Sequence, residues 1–313
     1  MTIVSVQPTF YCKMNCNYCY LGDLRKEREI LDLRILRKRF ESILTVTNID
    51  AIDIFGGEIS LLNLEYLRDL FALCFEFCPV VNISSNLSNL KILEVLKHFP
   101  QVNLSLSWNK ERPDYYKIEE ILNHKKNYFK NLKNKIQILT VALPSLLNTS
   151  VEEMLGKFES WNLPVTILRY FPSTFNASYD ISISEYENFI IKVLETYLGG
   201  NYTFLLNNYW MVKKFNLKSP LLSSNIFIQP SGDYSWINYQ GQKEIYLHSD
   251  KIESWLQAIQ KEKMLYKEKC SSCPFYNRCL AEHLNFNDIN KDSCCGLKNL
   301  LMWWFKRGIY FEL

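Results

Sequence analysis

Short β-branched segments alternate with longer amphipathic segments over the first two thirds of the chain. In segment 32–46, Leu33, Leu36 and Phe40 recur on one face while charged residues occupy the other, which is the helical pattern. The same pattern predicts helices at 64–77, 88–98, 118–131, 151–160 and 184–197. The apolar segments between them predict strands at 2–7, 50–55, 80–84, 102–107, 135–141 and 165–170.

Six strand–helix units in succession predict an α/β fold with a parallel sheet covered by helices. The sheet is either open or closed into a partial (β/α)6 TIM barrel. In both arrangements ligands bind at the carboxyl ends of the strands. Residues that directly follow a predicted strand are therefore the first candidates for a functional site.

The alternating pattern weakens after about residue 200. Segment 201–240 is rich in Asn, Ser, Tyr and Trp, and it contains a turn signal at Pro230-Ser231-Gly232-Asp233. A helix is predicted at 251–264, followed by a segment with five cysteines. We therefore expect a main domain at 1–200, a bridging hairpin region at 201–245 and a small cysteine-rich domain at 246–313.

The charge, hydropathy and cysteine content of the chain limit the kinds of partner and cellular location that we expect. The formal net charge of the 313 residues is +3 and charges of both signs are mixed, so no nucleic-acid partner is expected. No apolar run reaches the roughly 18 residues of a membrane span, and the N-terminus lacks a signal peptide. We expect a cytoplasmic protein, in which ten cysteines are metal ligands or buried apolar residues rather than disulfides. Cys74 and Cys78, in an apolar helical run, are predicted to be buried.

Three cysteines follow the first predicted strand directly. Cys12, Cys16 and Cys19 are close enough in sequence to converge on one metal, and their loop has neither a fourth cysteine nor a histidine. A structural zinc site needs four protein ligands. A 4Fe–4S cluster bound by three thiolates leaves one iron open for a further ligand, which is a catalytic arrangement.

The C-x3-C-x2-C spacing, with Tyr18 before the last cysteine, resembles the radical S-adenosylmethionine (SAM) superfamily. Gly56-Gly57-Glu58 after the second strand is similar to the family's Gly-Gly-Glu, whose carboxylate holds the cofactor's ammonium group. The resemblance implies further SAM contacts from Asn86, Ser105 and the Tyr18 backbone. As polar residues at strand ends, Asn86 and Ser105 are also consistent with simple capping.

The chain departs from the family pattern at several positions. Ile59, Leu87 and Trp108 replace residues that are usually Pro, Gly and Gly. No arginine lies in the helix after the fourth strand, where several relatives bind the cofactor carboxylate. Substitutes for that arginine are Arg169 at the end of the sixth strand, or Asn123, His124 or Lys125.

A second cysteine group lies near the C-terminus. Cys270, Cys273 and Cys279 are followed by Cys294 and Cys295, a spacing that resembles the SPASM domain of peptide-modifying radical SAM enzymes. The upstream cysteine pair of that domain is absent, and His283 stands at a position that is cysteine in relatives. The resemblance implies one auxiliary 4Fe–4S cluster on the first three cysteines and either Cys294 or Cys295. Structural zinc is the alternative.

The resemblance implies an enzyme that reductively cleaves SAM and abstracts a hydrogen atom from its substrate. Segments 7–12 and 19–21 are similar to SPASM enzymes that mature ribosomally made peptides, including those that form cyclophane cross-links. The leading hypothesis is a maturase that cross-links a precursor peptide and takes electrons from a flavodoxin or ferredoxin. Alternatives are a peptide epimerase, a sugar or nucleoside dehydrogenase, and a non-enzymatic iron–sulfur protein.

Overall fold

The computed structural model describes residues 2–170, 179, 181–209, 224–235, 248–276 and 297–307. All six strands predicted for the first two thirds of the chain are present. Their bounds are β1 Thr2–Val6, β2 Ala51–Ile54, β3 Val81–Ser85, β4 Asn103–Ser107, β5 Ile136–Val141 and β6 Val165–Leu168. Three short strands follow them, namely β7 Ser224–Ile228, β8 Tyr234–Ser235 and β9 His248–Ser249.

The chain forms two compact units. Of the described residues, the first unit comprises 2–139, 225–235 and 248–256, and the second comprises 140–170, 179, 181–209, 224, 257–276 and 297–307. In the first unit the strands lie in the order β5-β4-β3-β2-β1-β7-β8-β9. Neighbours from β1 to β5 pair in parallel, whereas β7, β8 and β9 pair antiparallel. The predicted domains 1–200, 201–245 and 246–313 stay a prediction.

The helices lie between the strands, as the alternation predicts. They are α1 Leu33–Leu44, α2 Leu64–Phe77, α3 Ile92–Leu96, α4 Tyr115–Asn123, α5 Lys125–Phe129, α6 Pro144–Leu147, α7 Val151–Trp161, α8 Ile183–Gly199, α9 Ile252–Cys270 and α10 Lys298–Lys306. Side chains cap several of their first turns, and Ser182 with Glu185 forms a complete capping box at α8.

Two predicted helices differ from the structure for local reasons. The segment 88–98 is helical only over α3, because the side chains of Asn86 and Asn89 accept hydrogen bonds from the backbone N–H groups of Ser88 and Lys91. Such turns hold the chain in a non-helical conformation. The segment 118–131 is two helices, α4 and α5, since His124 between them has φ −109° and ψ 26°.

The core of the first unit lies on one face of its sheet. Ile52, Ile83 and Leu104 are 0–1% exposed on this face, which we call the apolar face. Cys74 and Cys78 are buried in and next to α2, which confirms their predicted role as buried small residues. Burial raises the pKa of both thiols, so they are unreactive at neutral pH.

The predicted turn at 230–233 is present. It joins β7 to β8, with Gly232 at φ +85° and its N–H donating to the Gln229 carbonyl. A side chain at Gly232 would meet Ile35, so the turn requires glycine for its conformation and for its contact with α1. Within the described part of the chain, no helix has the length and apolar character of a membrane span.

Candidate functional site

The cysteine loop begins shortly after β1 and closes on itself through backbone hydrogen bonds. The N–H of Cys12 donates to the carbonyl of Arg25 (3.0 Å), and the N–H of Cys19 donates to that of Cys16 (3.1 Å). A 3-10 helix over Gly22–Lys26 follows directly and brings Arg25 back to Cys12. The local fold of this segment therefore brings all three predicted cysteines into one loop at the carboxyl end of β1.

The three thiols share one electrostatic environment. The pKa of Cys12 is raised to about 11, mainly by burial and to a smaller extent by the nearby Glu58, Cys19 and Cys16, while the hydrogen bond from the Met14 N–H opposes the rise. Burial raises the pKa of Cys16 and Cys19 as well. Among the described residues, no group of three His, Cys, Asp or Glu side chains is arranged to hold a metal ion as it stands. The thiols therefore influence one another without being in ligand geometry.

Gly56 and Gly57 lie against the cysteine loop with no room for a side chain. The N–H of Gly57 donates to the carbonyl of Thr9, and the N–H of Glu58 donates to that of Tyr11, both at 2.8 Å. A Cβ atom on Gly57 would lie 2.3 Å from the Tyr11 carbonyl oxygen. Gly56 has φ +130°, a conformation that favours glycine. These glycines let the end of β2 approach the loop backbone directly.

Glu58 connects the ends of β2 and β3. Its carboxylate, 2% exposed, accepts hydrogen bonds from the N–H of Ser60 (3.0 Å), the N–H of Asn86 (2.8 Å) and the hydroxyl of Ser85. The amide nitrogen of Asn86 lies 4.0 Å from the sulfur of Cys12. Two predicted site motifs, one after β2 and one at the end of β3, thus meet beside the first cysteine.

Ser105 occupies a different place from the one expected of a strand end. It lies in the middle of β4, where its hydroxyl oxygen accepts from the side-chain amide of Gln137 (2.8 Å), and Ser107 ends the strand. The serine is buried. Its contact with SAM stays a prediction.

Arg112 is the residue that sequence reasoning missed. Its Nε donates to the hydroxyl of Tyr18 (3.1 Å) and its Nη1 donates to the carbonyl of Ser107. Its positive charge also lowers the pKa of Cys16 and Cys19, against the larger opposite effect of burial. The sequence signal is an arginine in the loop directly after β4, whereas the expected cation was one in the helix that follows.

The remaining predicted residues are not in this group. Arg169 lies in the second unit, just after β6. Cys270 and Cys273 also lie in the second unit, where the N–H of Cys273 donates to the carbonyl of Cys270 (2.9 Å) at the end of α9. Cys279, Cys294 and Cys295 lie outside the described residues, so the auxiliary site stays a prediction.

No protein-family model and no curated protein matches the chain, but solved structures do. Polyhistidine-tagged anSMEcpe with bound AdoMet matches with a TM-score of 0.72 and 17% identity, over 98% of this chain and 97% of that chain. Native anSMEcpe with AdoMet and Cp18Cys peptide gives 0.70 and 16% identity, over 97% of each chain. Streptococcus suis SuiB bound to precursor peptide SuiA gives 0.63 and 16%, over 93% of this chain and 73% of that chain.

These neighbours are radical SAM enzymes. The fold of this chain is the radical SAM fold. The likeness confirms the α/β class with a partial barrel that the strand–helix alternation predicts. The donor set also fits the cluster of radical SAM enzymes by its chemistry, since one loop offers three thiols and no fourth protein ligand. The two glycines beside it let the end of β2 lie directly against the backbone of this loop.

Proposed function

We propose that this chain is a radical SAM enzyme that modifies a peptide. One observation carries the proposal: the cysteine loop, Gly56-Gly57-Glu58 and Asn86 meet at the carboxyl ends of β1, β2 and β3. This is the edge of a parallel sheet at which ligands bind. The radical SAM fold of the neighbours supports the same function.

In this proposal Cys12, Cys16 and Cys19 hold a 4Fe–4S cluster with one open iron. When bound, the cluster supplies the electron that cleaves SAM. Glu58 already accepts three hydrogen bonds, and a carboxylate has about four acceptor positions. One position is left for the ammonium group of SAM, and the three protein donors fix the carboxylate for it.

The other SAM contacts are proposed from the sequence. Gly56, Gly57 and Asn86 lie at the edge where the cofactor would bind, and Tyr18 lies in the cysteine loop. Ser105 and Arg169 complete the proposed set. A proposed auxiliary 4Fe–4S cluster would use Cys270, Cys273, Cys279 and either Cys294 or Cys295, and structural zinc is the alternative.

A peptide substrate is supported by the neighbours. SuiB is matched in complex with precursor peptide SuiA and anSMEcpe with Cp18Cys peptide. We propose further that the product is a cross-link of the cyclophane type, with a peptide epimerase and a small-molecule dehydrogenase as alternatives. A flavodoxin or ferredoxin would supply the electron. The cytoplasmic location also stays a prediction from the sequence.

The first test is SAM cleavage. The chain is reconstituted anaerobically with iron and sulfide, then incubated with dithionite and SAM, and 5′-deoxyadenosine is measured by liquid chromatography and mass spectrometry. We expect formation by the wild type and by Cys74→Ala, whose thiol is buried away from the loop. Cys16→Ala should form none. Absence of the product in the wild type, or its formation by Cys16→Ala, would contradict the proposal.

An iron count separates the auxiliary alternatives. About eight irons per chain supports two clusters, whereas about four together with zinc leaves only the cluster of the cysteine loop. Cys270→Ser should lower the count by about four if the auxiliary cluster exists, without removing 5′-deoxyadenosine formation. An unchanged count in that variant would remove Cys270 from the ligand set.

A further inference from the structure

Strands β1 to β5 have two different faces. The side chains of the apolar face are buried, and those of Ile52, Ile83 and Leu104 are 0–1% exposed to solvent. The opposite face, which we call the polar face, carries Asp53, Asn82 and Asn103 in one register row across β2, β3 and β4. These three side chains have strands on both sides and are nevertheless partly exposed. The polar face is therefore accessible at this row.

The row is a directed chain of hydrogen bonds. Asn103 Nδ2 donates to Asn82 Oδ1 (2.7 Å), and Asn82 Nδ2 donates to Asp53 Oδ1 (2.6 Å). Within the described part of the chain, Asp53 Oδ2 and Asn103 Oδ1 accept no hydrogen bond. If the row had a purely structural role, we would expect donors of the protein to pair with all its acceptors, because a partly buried acceptor without a donor lowers the stability of the fold. At one end of this row Asp53 Oδ2 is an unused acceptor, and at the other end Asn103 Oδ1 is an unused acceptor beside the second N–H of the same amide.

The electrostatics favour a positively charged partner. Asp53 is the one ionisable side chain on the polar face of the described strands β1 to β5. Burial raises its pKa, and its hydrogen-bond donor is a neutral amide. A partly buried carboxylate that has no positively charged neighbour is stabilised when a cation with several N–H donors binds to it.

The row lies below the carboxyl ends of the strands, at a depth that a long substrate side chain entering from those ends can reach. At about 3.3 Å per strand residue, Asn82 lies about 7 Å below Ser84 and about 13 Å below Asn86. The side chains directly above the row on β3 and β4 are those of Ser84 and Ser105, which are small. A peptide backbone near the level of Ser84 would place the charged end of an extended lysine or arginine side chain at the row.

We propose that the row Asp53–Asn82–Asn103 binds the ammonium or guanidinium group of a basic side chain of the substrate. This deepens the proposed function, since it rests on a peptide substrate that binds at this sheet. The binding itself requires neither the iron–sulfur cluster nor SAM. It can therefore be measured on the full chain independently of catalysis.

The test compares a charged probe with its neutral isostere. Binding of Nα-acetyl-L-arginine amide and Nα-acetyl-L-citrulline amide to the full chain is measured by ligand-observed NMR. We expect the arginine probe to bind the wild type at least tenfold more tightly than the citrulline probe. Asp53→Asn should abolish this difference. Asp69→Asn, which neutralises an exposed carboxylate on α2, should keep it.

Asn103→Leu gives an independent reading, because it removes the Oδ1 acceptor at the far end of the row and leaves the Asp53 charge in place. It should weaken arginine binding several-fold. Equal binding of the two probes to the wild type, or an unchanged preference in Asp53→Asn, overturns the proposal. If folding fails in Asp53→Asn, unchanged arginine binding by Asn103→Leu overturns it. The control Asp69→Asn should form 5′-deoxyadenosine from SAM as the wild type does. Loss of that product in the wild type would refute the proposed function without affecting the probe result.

Discussion

At the scale of single residues, the cysteine loop is held by a partly buried guanidinium. Arg112 bonds to Tyr18 inside the loop and to the Ser107 backbone at the end of β4. Hydrogen bonds that involve a charged group contribute more than neutral ones. The pair joins two segments 94 residues apart in sequence, and no local pattern in either segment indicates the contact.

We expect Arg112→Gln to lower the free energy of unfolding by about 2–4 kcal/mol, since it removes two charge-assisted hydrogen bonds. Tyr18→Phe removes one and should cost about half as much. Urea denaturation of the metal-free chain measures both. Arg28→Ala, an exposed arginine over the Tyr11 ring, is the matched control and should cost under about 1 kcal/mol. An Arg112→Gln chain as stable as this control would contradict the assignment.

The raised pKa of Cys12 predicts a pH-dependent reactivity. With a pKa of about 11, only about one thousandth of the thiol is thiolate at pH 8 in the metal-free fold. Alkylation by iodoacetamide should therefore be slow at pH 8 and accelerate about tenfold per pH unit up to about 11. Mass spectrometry of the labelled Cys12 peptide measures the rate. Equal rates in the native and urea-denatured chains at pH 8 would show that burial does not protect this thiol.

At the scale of elements, the sequence predicts the strands well because their apolar runs are local. The helix ends are less predictable, since Asx turns at Asn86 and Asn89 shorten α3. The contacts between elements are not local at all. Glu187 on α8 accepts from the N–H groups of Asn299 and Leu300 and thereby caps α10 from a different helix.

Removing that cap should destabilise the second unit. Glu187 is 2% exposed, so Glu187→Ala leaves the buried N–H of Leu300 and the partly buried N–H of Asn299 unpaired and should cost about 2–3 kcal/mol of unfolding free energy. Glu195→Ala on the same helix removes an exposed partner of Trp303 and Arg307 and should cost under about 1 kcal/mol. Thermal unfolding followed by circular dichroism compares the two. Similar losses in both variants would argue against the cap.

Two glycines on different elements give opposite predictions. Gly57→Ala should destabilise the chain by more than about 2 kcal/mol and lower iron incorporation, because its Cβ would overlap the Tyr11 and Phe10 carbonyls. Gly156→Ala, inside α7 with nothing within 4 Å of the added Cβ, should stabilise it by about 0.5–1 kcal/mol. Denaturant midpoints and iron content are the measurements. A tolerated Gly57→Ala would mean that the loop does not need close contact with β2.

At the scale of the whole molecule, the proposed cluster should couple to folding. A ligand that binds only the native state raises its stability, and thiolate ligands of a metal are coupled to the fold in the same way. Anaerobic reconstitution should raise the Tm of the wild type by several degrees. Cys16→Ser should show a smaller rise or none, and Cys78→Ser should behave as the wild type. A Tm shift that survives in Cys16→Ser would assign the stabilising metal to another site.

The sequence by itself determined the strands, the cysteine triplet and Gly56-Gly57-Glu58, because periodicity and short motifs are properties of neighbouring residues. It also placed Cys74 and Cys78 among buried residues, since their apolar neighbours lie in the same short segment of the sequence. Only the tertiary structure decided the rest. Arg112 reaches Tyr18 because the loops that follow β4 and β1 meet at the same edge of the sheet. Asp53, Asn82 and Asn103 form one row because parallel strands place residues far apart in sequence side by side in register. Register is a property of the assembled sheet, and no single segment carries it.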